Sequence, residues 1–121
     1  LKKTSSPTIF IDLGGTILDH MGGREKQIAS KPVALDGVVE KFSEWHEDGY
    51  RIIIVTGRPE EMREITEKQL QEVGISYDQI IMDVGSGQRI LINDLNGATP
   101  DVPMAVAINV KKNEGLKDIE L

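Results

Sequence analysis

Residues 9–18, IFIDLGGTIL, decide how the chain is read. A short apolar run rich in β-branched side chains ends in Asp12, and Gly14, Gly15 and Thr16 follow before the next apolar pair. The run predicts a strand over 8–13 (TIFIDL) that stops at the glycines. Glycine lets the backbone turn tightly and come close to a ligand without a Cβ in the way, with N–H groups directed at an anion. A carboxylate at that place can attack phosphorus to form an acyl phosphate, or hold a cation. A plain strand-ending turn has the same letters, so this stretch alone does not choose.

Working outward, the pattern alternates strands and helices. Helical spacing of Val38, Val39, Phe42, Trp45 and His46 predicts a helix within 33–50, with Asp36 as N-cap and Gly49 as the stop. Residues 51–55 (RIIIV) are apolar after Arg51, as expected of a central parallel strand covered on both faces. Pro59 can open a second helix, with Glu60 and Glu61 in its first turn, a buried stripe of Met62, Ile65, Leu70 and Val73, and Gly74 at its end. Residues 79–82, 89–93 (RILIN) and 104–108 (MAVAI) predict three more strands. This order builds right-handed crossovers and a parallel sheet. The expected fold is therefore α/β, a three-layer Rossmann-like domain with a mostly parallel central sheet of about five strands, filling 1–121 as one unit.

In such sheets ligands bind beyond the carboxyl ends of the strands. Three predicted strands end in residues suited to that: Asp12, Thr56 and Asn93-Asp94. Thr56, followed by Gly57, can present a hydroxyl and N–H groups to phosphate oxygens, or can simply cap the helix. Asp94 suits Mg²⁺, which takes one or two carboxylates together with waters and phosphate oxygens, and Asn-Asp is also a common turn. Arg89 can neutralise a phosphate or stand as a strand-edge surface charge.

Taken together and in this order, the segments resemble the haloacid dehalogenase-like superfamily. Its motifs are an apolar strand followed by D-x-D-G-T, a strand ending in Ser or Thr, a Lys or Arg, and a strand ending in acidic residues. The resemblance spans about residues 8–110. It implies a Mg²⁺-dependent phosphatase in which Asp12 is nucleophile and metal ligand, and Gly14 supplies a backbone carbonyl to the metal. It also implies that Thr56 and Arg89 hold the phosphate, with Leu13, Gly14 and Gly57 lining its site. Asp94 is the further Mg²⁺ ligand, and Asn93 stands where many members have a second acid.

Position 14 departs from the pattern. The family carries a second Asp there, which protonates the leaving oxygen and then activates water; Gly14 has no side chain for either task. Such catalysis contributes about 10²- to 10⁴-fold. The resemblance thus leaves two expectations open: a phosphatase impaired by Gly14, or an inactive phosphate-binding or regulatory domain. His20, a few residues on, is a candidate substitute for the missing acid, although a histidine in a polar loop is ordinarily solvated.

The rest of the chain narrows partners. With 121 residues there is room for one core, and the net charge of −6 disfavours nucleic acid as a general partner. No cysteine is present, which excludes disulfides and thiolate metal sites. No apolar run is long enough to span a bilayer, so membrane association is not expected and a cytoplasmic setting is the default. Residues 17–35 can form a flap or small hairpin, and 83–88 only a loop, so no cap domain is expected. An open site of this kind calls for a large substrate or for a second subunit to close it. The resemblance suggests a phosphorylated small molecule, such as a sugar phosphate.

Overall fold

The computed structural model describes residues 3–20, 22–95 and 101–121. It is a small α/β fold around an open parallel sheet. The strands are β1 (Thr8–Asp12), β2 (Arg51–Val55) and β3 (Gln79–Ile81), hydrogen-bonded in the order β1-β2-β3. The helices are α1 (Arg24–Ala29), α2 (Val38–Glu47) and α3 (Arg63–Glu72), the last entered through a 3-10 turn at Glu60–Met62. Met21 of the expected flap and Asn96, beyond the Asn-Asp pair, lie outside the described residues.

Both long helices are closed by glycine in the way the sequence predicts. At the end of α2, Gly49 takes a left-handed φ of 80°, its N–H donates to His46 O, and the Tyr50 N–H donates to Trp45 O. Gly74 (φ 80°) repeats this at the end of α3, with Gly74 N–H to Gln71 O and Ile75 N–H to Leu70 O. These paired bonds satisfy carbonyls that the helix leaves over, in a conformation without cost only for glycine. The start of α2 differs from expectation: Gly37, not Asp36, is the N-cap, and it carries no capping side chain. The Asp36 carbonyl instead accepts the Leu116 N–H at 2.7 Å, so the C-terminal segment is stitched to the helix start.

Successive steps from β1 to β2 to β3 run in one direction. With right-handed crossovers that places α2 and α3 on the same face. The core agrees: Val38, Phe42 and Trp45 of α2 and Met62 and Leu70 from the α3 side share one buried cluster with Ile11, Ile52, Ile54 and Ile80. The expectation that 51–55 is covered on both faces is therefore corrected. Ile52 and Ile54 are fully buried, whereas the alternate face carries Phe10 at 55% exposure, half-buried Ile53 and Val55, and exposed Ile81. Covering that face takes a helix from a crossover running the other way, and the connection after β3 (82–88) is too short to contain one.

The same shortage bears on the other two predicted strands. Residues 89–93 and 104–108 form no strand among the described residues, and their apolar side chains face solvent, Ile92 at 90% exposure. The chain closes on itself again further on, where Leu116 is buried and Val110, Ile119 and Leu121 pack against the core.

Candidate active site

β1 and β2 pair in parallel register, Asp12 opposite Val55, so Asp12 and Thr56 sit at the same rim on neighbouring strands. Adjacent strands lie about 4.8 Å apart, so the two residues are neighbours on the rim, with the Asp12 side chain on the open face and that of Thr56 on the buried face of Ile54. Asp12 is exposed, on the alternate face from buried Ile11 and Leu13. The Leu13 side chain is an anchor, fully buried, and its carbonyl accepts from the N–H groups of Thr16 (3.3 Å), Ile17 (2.9 Å) and Leu18 (3.1 Å). That knot winds residues 13–18 into a compact turn. Of the phosphate-site residues expected here, Leu13 can contribute backbone only.

Thr56 is 3% exposed and fixed on all sides. Its N–H donates to Ile81 O (3.0 Å), its carbonyl accepts from Val84 N–H (3.0 Å), and its Oγ1 accepts from Arg58 N–H (3.2 Å). The hydroxyl thus caps the following turn, and its own proton still has to be directed elsewhere; capping and anion binding coexist. Gly57 is exposed beside it, and a Cβ there would stand 3.1 Å from the Val84 carbonyl oxygen.

Arg58 was not anticipated. Its Nη1 donates to Thr66 Oγ1 (2.9 Å) and Gln69 Oε1 (2.6 Å), and burial lowers its pKa from the ordinary arginine value. Arginine has no acceptor, so Gln69 must offer its oxygen; its amide nitrogen is then turned to the Gln27 carbonyl, 2.7 Å away. Gln27 belongs to α1, the helix of the flap. The flap is closed at its base by the Leu18–Ala34 bridge and by Asp19 N–H to Val33 O, 3.1 Å. It therefore starts beside the Asp12 turn and is pinned at Gln27 to Gln69 of α3, the residue that also holds Arg58. Lys31 and Asp19 line the small recess between flap and Arg58. A polar Thr66 and Gln69 on the buried stripe of α3 were the sequence signal for this arrangement.

Gly14 is half-buried, and a Cβ built on it meets only the Cδ2 of His20, at 3.4 Å. Its backbone is outside the left-handed region, so an aspartate fits there without strain. The His20 ring borders the space an acid at position 14 would use.

The remaining candidates lie on the segment after β3. Arg89 turns back on its own loop, with Nη1 donating to the carbonyls of Gly85 and Gly87 at 2.6 Å each. Asn93 donates weakly to the Asp94 carbonyl at 3.4 Å, and Asp94 is exposed. The hydrogen bonds of Arg89 and Asn93 thus stay within residues 85–94, whereas Asp12, Leu13, Gly14, Thr56 and Gly57 share the rim. Among the described residues no three His, Cys, Asp or Glu side chains converge on one point. A Mg²⁺ site of the expected kind needs only the Asp12 carboxylate, the Gly14 carbonyl and one further acid, all hard oxygen donors, so the donor set fits the ion.

No family model matches the chain, and no curated protein does. Among solved structures it is similar to a chain of the Pnkp1/Rnl/Hen1 complex, at 30% identity and a TM-score of 0.54, over 73% of this chain and 32% of that one. A chain of the Pnkp1/Rnl/Hen1 RNA repair complex matches with the same identity, TM-score and coverage here, over 29% of its own length. The chain thus spans about a third of the length of the chains it matches.

Proposed function

We propose that this domain is a phosphomonoester hydrolase of the haloacid dehalogenase type, Mg²⁺-dependent and slowed by Gly14. The observation that carries the reading is the shared rim: Asp12, the Gly14–Gly15 turn and the Thr56 turn meet at the carboxyl ends of two parallel strands in register. In this mechanism an Asp12 oxygen attacks phosphorus in line as the bond to the ester oxygen breaks, and the leaving oxygen takes up a proton. Water then attacks the aspartyl phosphate and releases inorganic phosphate, regenerating Asp12. Thr56 and the backbone around Gly57 hold the equatorial oxygens, with Arg89 as the cation that offsets their charge. Asp12, the Gly14 carbonyl and Asp94, with Asn93 beside it, would hold Mg²⁺, which when bound supplies charge neutralisation at the transferring phosphoryl group.

This reading needs residues 89–93 and 104–108 as the fourth and fifth strands, on the edge of β1 that faces away from β2. Both runs are apolar, and Ile90, Leu91 and Ile92 are exposed as described. Residues 82–88 span at most about 25 Å when fully extended, against roughly 14 Å for three strand spacings of about 4.8 Å each, so the crossing requires a stretched connection over the open face. Pairing there brings Asp94 to the rim beside Asp12.

The substrate class that fits is a phosphorylated small molecule, a sugar phosphate among them, with the flap or a second copy of the chain closing the site. A phosphate on an RNA end is a second reading, supported by the likeness to chains of an RNA repair complex; the net charge of −6 opposes extended contact with a polyanion. The lack of an acid at position 14 favours, as the other alternative, a phosphate-binding or regulatory domain without turnover. Hydrolysis of an aryl phosphate with Mg²⁺ by the chain, by Gly14→Asp and by Asp12→Asn separates these. Turnover that rises in Gly14→Asp and vanishes in Asp12→Asn is expected; bound phosphate with no turnover in any version would replace the enzyme with the binding domain.

A further inference from the structure

We infer that Asn113, distant in sequence from every motif, is a positioning residue for the turn that directly follows Asp12. The inference rests on the reading of that turn as the phosphate site and adds what holds its shape. Two bonds, both 2.8 Å, bracket the turn: the Asn113 N–H donates to Gly15 O, and the Asn113 side-chain Oδ1 accepts the His20 N–H. One residue thus grips the segment just after Gly14 and again where it leaves toward the flap. The Asn113 backbone is left-handed, φ 62°, a conformation that asparagine tolerates better than most residues.

The grip has a rigid base. Gly115 follows at φ 84°, and a Cβ there would overlap the Asp36 carbonyl oxygen. The Leu116 N–H donates to that same oxygen at 2.7 Å, and the Leu116 side chain is buried. Residues 115–116 are therefore seated against the start of α2, and Asn113 reaches the Asp12 turn from a fixed platform. The Leu13 knot and the Gly15 N–H, which donates to Leu18 O at 2.7 Å, shape the turn from within; Asn113 fixes its far side at the Gly15 carbonyl.

Amide exchange measured by NMR on three variants tests this without substrate. Asn113→Ala removes the side-chain acceptor and disfavours the left-handed backbone, so the His20 and Asn113-position amides should both exchange about tenfold faster. Asn113→Gly keeps the backbone conformation, so only the His20 amide should speed up. Asn113→Asp retains the acceptor and should stay within about threefold of the parent. The Leu116 amide should remain protected in all three, which separates a loosened turn from a lost C-terminal segment. On an aryl phosphate, Asn113→Ala should lower kcat about tenfold or more while leaving KM within about twofold, as expected when a nucleophile is misplaced. Parent-like His20 exchange in Asn113→Ala would overturn the proposal. A chain inert toward phosphate esters in every version, with the exchange pattern as expected, would overturn only the hydrolase reading.

Discussion

Residues 8–82 and residues 89–108 are equally rich in short apolar runs, and they fare differently. In the first, RIIIV becomes β2 with Ile52 and Ile54 at zero exposure; in the second, RILIN joins no sheet among the described residues and leaves Ile90 and Ile92 in solvent. Composition does not separate these runs. What separates them is the connection: β1, β2 and β3 are joined through helices long enough to carry a parallel crossover, and 82–88 contains none. A buried strand needs a partner edge and a chain path to it as well as the right side chains.

The largest effect expected divides the rim from that second region. Gly14→Asp restores a proton donor where a Cβ has room, and turnover should rise about 10²- to 10⁴-fold, or roughly 3 to 5 kcal/mol of barrier. Asp12→Asn should abolish it. If His20 already supplies the proton, Gly14→Asp gains little, and His20→Ala lowers turnover. Asp94→Asn should raise the Mg²⁺ concentration needed for half-maximal rate, because the second region has then come to the rim. An unchanged Mg²⁺ requirement would leave residues 89–94 outside the site.

Stability measurements sharpen the same contrast. Ile54→Ala should cost about 2 to 5 kcal/mol, since the side chain is fully buried in the sheet. Ile92→Ala should cost about 2 kcal/mol or more if residues 89–93 pair with β1 as proposed. A cost below about 0.5 kcal/mol would mean that Ile92 stays in solvent, and the fourth strand would have to be given up. Trp45, the single tryptophan, is buried in α2 and makes fluorescence a suitable probe of this core.

Much of the first region was legible in the letters. Glycine at 49 and 74 marks both helix ends because a left-handed C-terminal residue has few alternatives, and the Asp12 and Thr56 strand ends follow from apolar runs that stop at glycine. The one-sided sheet was not legible, because periodicity records which residues are apolar and says nothing of which face a neighbour will cover. Arg58 and Gln69 were hidden for a related reason: Thr66 and Gln69 interrupt an apolar stripe, and their meaning depends on a guanidinium contributed from another turn. Asn113 gave only a faint signal, an Asn two residues before Gly115, whose target lies almost a hundred positions away.

A smaller effect concerns the flap. Gln69→Met keeps length and loses both polar ends, so α1 loses its bond to α3. Tryptic cleavage after Arg24 and Lys26 should then rise about tenfold, with the Thr56 amide still protected from exchange. Gln69→Glu should do the same, because a carboxylate can still accept from Arg58 but has no proton for the Gln27 carbonyl. Equal cleavage in parent and variants would show that the flap is held by something other than this amide.

The smallest effect is a pH dependence confined to the first region, since both tyrosines, at 50 and 77, lie within it. Burial raises the Tyr77 phenol above its ordinary value of about 10, and the charge of Glu67 adds to this while Arg63 opposes it. The folded state therefore favours the neutral phenol. At pH values below the unfolded pKa this preference has its full stabilising effect; as pH rises toward the folded pKa, the unfolded chain ionises first and the contribution is lost. Phenolate absorbance of the parent minus that of Tyr77→Phe should show a midpoint above the ordinary value, and Glu67→Gln should move it down without restoring it fully, because burial is the larger cause. A midpoint at the ordinary value would place Tyr77 in solvent and loosen the packing after α3 that brings β3 beside β2.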